Sequence, residues 1–137
     1  MTLRISLRND EPLIINGAVL RAVGRTDLVL ENDATILRGR DVMKPQDADT
    51  PAKHLYFTCM MAYIDPANLE QHQAALLEKL EALLSALRSP EAKTVCVTFA
   101  EKVAVGDFYH ALTECRWLID YEAQALARLT PAAAPDI

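Results

Sequence analysis

The dipeptide Asn16-Gly17, set between the short apolar runs PLII and AVLRAV, constrains this chain more than any other feature. Both residues tolerate positive φ, so the pair suits the two-residue turn whose twist matches that of antiparallel strands, and a β-hairpin is predicted there. Upstream, LRISLR alternates: Leu3, Ile5 and Leu7 are predicted to face a core, and Arg4, Ser6 and Arg8 to face outward. Gly24-Arg25-Thr26 supplies a turn before DLVLE, and Asn32-Asp33 another before ATILRGR. Five closely spaced short strands imply an antiparallel meander or small barrel over residues 1–44. A sheet this small is poorly stable alone, so it should lean on helices or on a second copy of itself.

Beyond residue 50 the punctuation changes. Thr50-Pro51, Asp65-Pro66 and Ser89-Pro90 each place an oxygen-bearing cap before a proline at the first helical position, where its missing N–H costs nothing. A fourth helix is predicted after Gly106, with Asp107 as its cap. Leu69, Leu76, Leu80, Leu83 and Leu87 recur at helical spacing in the second helix, and Phe108, Leu112, Cys115, Ile119 and Leu126 do so in the fourth. The leucine stripe fits an intramolecular core or a short dimer seam. The predicted class is therefore α+β, with a five-stranded antiparallel sheet followed by a bundle of about four helices over residues 50–129. TPAAAPDI, residues 130–137, is expected to be a frayed tail.

Cys59, Cys96 and Cys115 are widely spaced and form no CxxC pair, so they read as buried thiols of a reducing cytoplasm rather than a disulfide framework. No run approaches the roughly 18 apolar residues of a membrane span. His54, His72 and His110 fall on three predicted helices with no metal-ligand spacing, and His72 is placed in solvent. Asp107 and His110 are three apart and read as a helix cap beside a surface histidine. The four glycines are isolated, so there is no phosphate loop, and no nucleophile motif surrounds Ser85 or Ser89. Neither an enzyme nor a cofactor or metal is expected. Tyr56, Phe57 and Tyr63 share a helix with Met60 and Met61, a composition of cores and of adaptable protein-binding surfaces.

Net charge is −5, but residues 1–44 carry seven basic against six acidic side chains, while the remainder carries seven against thirteen. The first third is thus arginine-rich within an acidic chain.

In order and spacing, IINGAVLRA, ENDATILRGRDVM, DTPAKHLYFTCMMAYIDP and VAVGDFYHALTECRWLIDYE closely resemble the FlbT family of flagellar biosynthesis regulators of alphaproteobacteria, over nearly the whole chain. Thr113 and Cys115 depart from that family's more basic or alanine-rich turn, a difference expected to touch only local surface charge. The resemblance implies a cytoplasmic protein that associates with the 5′ leader of flagellin messenger RNA and lowers its translation or lifetime, activating in some relatives. It also implies a functional link to a second small regulator, FlaF.

The first third also resembles, more weakly, the five strands of the carbon storage regulator, a dimeric RNA-binding repressor that binds through its first and last strands. The matching positions are Arg4, Ser6, Arg8, Arg38 and Arg40. Arginine contacts phosphates, stacks on bases and donates paired hydrogen bonds. The first 44 residues contain no Phe, Tyr or Trp, so recognition is expected to rest on arginine and backbone rather than ring stacking. The expected partner is flagellin leader RNA bound by a homodimer, with no DNA and no membrane. The competing reading is a protein-binding adaptor that holds flagellin, FlaF or an export component.

Overall fold

The structure, a computed structural model, describes residues 2–133. Strands β1 (Leu3–Leu7), β2 (Pro12–Ile15), β3 (Ala18–Arg21), β4 (Thr26–Leu30) and β5 (Ile36–Arg38) precede four helices. These are α1 (Pro51–Ile64), α2 (Leu69–Ala86), α3 (Pro90–Ala104) and α4 (Phe108–Ala133).

The Asn16-Gly17 turn forms as predicted, with φ of 49° and 84°. It organises more chain than the sequence suggests. β1 pairs with β4 and β2 with β3, and both ladders share one register centred on that turn, from Ile15 opposite Ala18 out to Leu3 opposite Leu30. Residues 3–30 are therefore one long hairpin, folded over on itself near its middle. At the fold, Asp10 takes a left-handed φ of 67°. The two strands stay stapled there: Asp10 N donates to Ala22 O at 2.8 Å, Ala22 N to Glu11 O at 3.0 Å, and Gly24 N to Asn9 Oδ1 at 2.7 Å.

The expected single five-stranded sheet is thus replaced by two sheets, a ribbon β1-β4 and a three-stranded sheet β3-β2-β5. The cause is β2, whose adjacent residues Leu13 and Ile14 are both buried. Neighbouring strand residues point to opposite faces, so both faces of the sheet must be covered. The ribbon folds over one face, closing a small core of Ile5, Leu7, Leu13 and Ala22. On the other face, Ile14 and Leu37 join the core of the helices, so the strands do lean on them. Leu3, by contrast, is 48% exposed at the ribbon's end rather than in the core.

Thr50, Ser89 and Asp107 cap α1, α3 and α4 as predicted, accepting from Lys53 N, Ala92 N and His110 N. Asp65-Pro66 behaves differently. Asp65 closes α1, its N–H bonded to Met61 O, and a short 3-10 turn, Pro66–Asn68, intervenes before α2. Leu76, Leu80 and Leu83 of α2 are buried in the chain's own core, which settles their stripe as intramolecular. α4 runs to Ala133, into the stretch expected to be frayed, while residues 134–137 lie outside the described residues. Cys115 is fully buried, so its departure from the family pattern falls in the core and not on the surface. Among the described residues, no helix is long and apolar enough to cross a membrane.

Two outcomes follow from this layering. Ile14→Ala should cost about 2–5 kcal/mol in urea unfolding, whereas Val19→Ala, its 73%-exposed cross-strand partner, should stay within about 0.5 kcal/mol. The two side chains share a face of the sheet, so the difference reads how far the helices cover it, and equal costs would contradict a cover that ends before β3. The thiols of Cys59, Cys96 and Cys115 are all buried, and burial pushes Cys59 up to about 12 and raises the other two. Because the thiolate is the nucleophile, a disulfide reagent at pH 8 should label none of them in the native protein and all three after unfolding.

Candidate nucleic-acid interface

β5 ends at Arg38, and Gly39, at φ of 61°, turns the chain into a single 3-10 turn, Gly39–Asp41. A Cβ on Gly39 would stand 2.9 Å from Glu11 Oε2, so glycine both permits the turn and lets the Glu11 carboxylate lie against it. That turn projects Arg38 and Arg40 beside the end of β1 and the first turns of α4. Between them runs an open groove of about 830 Å³. Four of the five residues singled out in the sequence, Ser6, Arg8, Arg38 and Arg40, line it. Arg4 does not. It lies on the outward face of β1 opposite Val29, exposed, one alternate position beyond Ser6.

The electrostatics of the groove depend on which charges are already engaged. Its carboxylates are held by the protein itself: Asp10 by Arg21 at 2.9 Å, Glu11 by the Arg8 backbone N–H at 2.9 Å, and Asp41 by Arg116. The guanidinium groups of Arg8, Arg38 and Arg40 make no ion pair or hydrogen bond among the described residues, nor does that of Arg4. The Ser6 hydroxyl is less available, since it donates to Asp27 Oδ1 at 2.9 Å across the ribbon.

Arg116 of α4 fixes this arrangement. It pairs with the Asp41 carboxylate, donates to Arg40 O at 3.2 Å and to the Tyr56 hydroxyl at 3.3 Å, and sits 5.5 Å from the centroid of the Tyr56 ring. The Tyr56 hydroxyl in turn donates to Asp41 O at 2.7 Å. Burial pushes Tyr56 up to about 12, against the opposing pull of Arg116, so it stays protonated as this donor. The latch ties the arginine-bearing turn to the helical core. Tyr109, Thr113 and Arg116 line the same groove from α4, spaced four and three residues apart on one helical face. Their spacing marks them as one helical face, but only the docking of α4 on the strands places that face at the groove.

Elsewhere, His110 Nδ1 lies 2.8 Å from Asp107 Oδ1, and this hydrogen bond holds the Asp107 carboxyl below its usual range. His72 is not in solvent. Its side chain is 19% exposed and lies 3.0 Å from Asp65 Oδ2, and Asp65, bonded first by Asn68 and then by His72, is likewise lowered. Among the described residues, no group of three or more His, Cys, Asp or Glu could hold a metal ion.

A second, apolar groove of about 670 Å³ runs between the hairpin tip and the C-terminal half of α1, lined by Ile14, Val19, Met43, Phe57, Met60 and Met61 among others. The tip is pressed close to α1: a Cβ on Gly17 would stand 3.0 Å from Ile64 O.

Residues 3–126 match the family described as Flagellar protein FlbT. A probable flagellum biosynthesis repressor protein FlbT of Caulobacter sp. (strain K31) is 37% identical over 131 residues, 95% of this chain and 100% of that protein. The flagellum biosynthesis repressor protein FlbT of Caulobacter vibrioides (strain ATCC 19089) is 34% identical over 131 residues, covering 95% of this chain and 93% of that protein. A probable FlbT of Brucella anthropi is 36% identical over 129 residues, covering 94% and 85%. No solved structure matches the chain. With the family match spanning residues 3–126 and relatives more than 30% identical over nearly their whole length, this chain belongs to the FlbT family of flagellar proteins.

Proposed function

We propose that this chain is a non-enzymatic post-transcriptional regulator of flagellin synthesis, which binds the 5′ leader of flagellin messenger RNA through the arginine groove and lowers its translation or stability. Relatives carrying the name flagellum biosynthesis repressor support the regulatory part of this reading. The observation that carries the RNA part is the charge arrangement. Arg8, Arg38 and Arg40 present unengaged guanidinium groups to one groove whose three carboxylates are each held by another group. Such a groove attracts a phosphodiester backbone despite the net charge of −5, because exposed charges beyond a Debye length of about 8 Å are largely screened. In this reading a second copy pairs along the free edge of β3, all four of whose residues are exposed.

A second reading has one observation in its favour. The methionine-lined groove beside α1 is the kind of adaptable apolar surface that takes a protein segment, and flagellin, FlaF or an export component would then be the partner, with any effect on the RNA indirect. Salt separates the two. Three phosphate contacts to a single strand should weaken binding about 20-fold between 50 and 200 mM salt, whereas docking in an apolar groove barely responds.

In an electrophoretic mobility shift with the leader RNA and a scrambled control, the wild-type protein should bind the leader specifically and with this salt dependence. Arg38→Ala with Arg40→Ala should weaken binding at least about tenfold and flatten the log–log salt slope by roughly 1.4. A folded double variant that binds as tightly as wild type would remove the groove from the mechanism.

A further inference from the structure

The arginine groove opens at one end into a separate hollow of about 460 Å³, between the ribbon, β5 and the end of α1. Arg38, Asp41 and Tyr109 line both, so they form the ridge where the two meet. The walls of the hollow are mainly apolar, and the Tyr63 ring stands beside Tyr109 with centroids 5.8 Å apart. Tyr63 is committed to the fold, since its hydroxyl donates to Ile36 O at 3.2 Å. Tyr109 is 44% exposed, and its hydroxyl makes no hydrogen bond among the described residues. At the rim, the side chains of Asn32 and Asp33 also have no partner among the described residues.

From this juxtaposition we infer a nucleotide-binding subsite: the phosphate lies against Arg38 and Arg40, the base stacks on Tyr109 and enters the hollow, and Asn32 and Asp33 read its edge. The inference rests on the RNA-binding reading above and makes it more specific. Each part supplies what single-stranded nucleic acid needs, namely cations for the backbone, an aromatic face for the base and a few polar groups for its edge. The ring-stacking platform missing from the first 44 residues is thus delivered by α4. A carboxylate such as Asp33 accepts only from a donor, and an Asn amide pairs with a neighbouring donor and acceptor, so the rim is suited to the Watson–Crick edge of a base, where an N–H stands beside an acceptor.

The test is fluorescence anisotropy with labelled leader RNA and full-length protein, repeated with an abasic residue at each position in turn. Tyr109→Ala should weaken binding roughly tenfold with the salt slope unchanged, and Tyr109→Phe should bind like wild type. At one position, an abasic residue should cost wild type at least the same tenfold and cost Tyr109→Ala less, since the stacking contact is already gone in that variant. A methyl group on the Watson–Crick edge of the base at that position should also weaken wild-type binding but not that of Asn32→Ala with Asp33→Ala. Wild-type binding that no single abasic residue weakens, or that Tyr109→Ala leaves unchanged, overturns the subsite and leaves the RNA-binding reading standing. A wild-type protein that binds flagellin but no leader RNA overturns both. Because the abasic series leaves the protein intact, its outcome with wild type does not depend on how the variants fold.

Discussion

The burial of β2 on both faces is the constraint from which the rest of the architecture follows. Leu13 and Ile14 are 1% and 2% exposed, and since they point to opposite sides of one strand, no two-layer arrangement can satisfy both. The ribbon β1-β4 covers the first and the helices cover the second. A hairpin that stayed straight over residues 3–30 would leave Leu13 in water and Ile5 and Leu7 with nothing to pack on. Folding it costs the left-handed backbone at Asp10, a conformation an aspartate tolerates better than most residues. Three stapling hydrogen bonds and the small core between the layers offset that cost.

The same folding creates the groove. Turning the hairpin over brings the end of β1, with Ser6 and Arg8, alongside the β5 turn, which reaches that place only because β5 pairs with β2. Asn16 helps to set this pairing, donating its N–H to Thr35 O at 2.8 Å while its side chain accepts from Thr35 N at 2.9 Å. The dipeptide that nucleates the hairpin therefore also seats the last strand. One short turn governs both walls.

Local features were legible in the sequence because their causes are local. The Asn16-Gly17 turn, the Thr50, Ser89 and Asp107 caps and the buried cysteines depend on neighbours a few residues away or on hydrophobicity alone. What escaped depends on distant parts of the chain. Period-two alternation puts Leu3, Ile5 and Leu7 on one face but says nothing of what covers it, so a flat sheet and a folded ribbon read alike, and Leu3 ends half-exposed. His72 looked solvated because it falls on the polar face of its helix, and its partner, Asp65, lies seven residues back, outside that helix. For the groove, four of the five proposed residues came together, since strand alternation and a turn place them. The contribution of α4 could not be seen until the helix was docked on the strands.

The docking of α4 also bears on how strands and helices share the work. Leu112, Cys115 and Leu118 of this helix are buried in the core, so Tyr109 and Arg116 on its other side have little freedom to move relative to that core. Arg116 passes this rigidity to the strands through Asp41, Arg40 O and Tyr56. An exposed turn bearing two unpaired arginines repels itself and would otherwise sample many conformations, each ordering event lowering the affinity for any ligand. Holding the turn from its carbonyl and carboxylate side leaves the guanidinium groups of Arg38 and Arg40 outward and unengaged. An acidic helical layer is therefore no obstacle to a cationic groove on the strands. One of its arginines, pairing with an acid of the β layer, neutralises a carboxylate that would otherwise oppose any anionic ligand and fixes the geometry in which the remaining positive charges are presented.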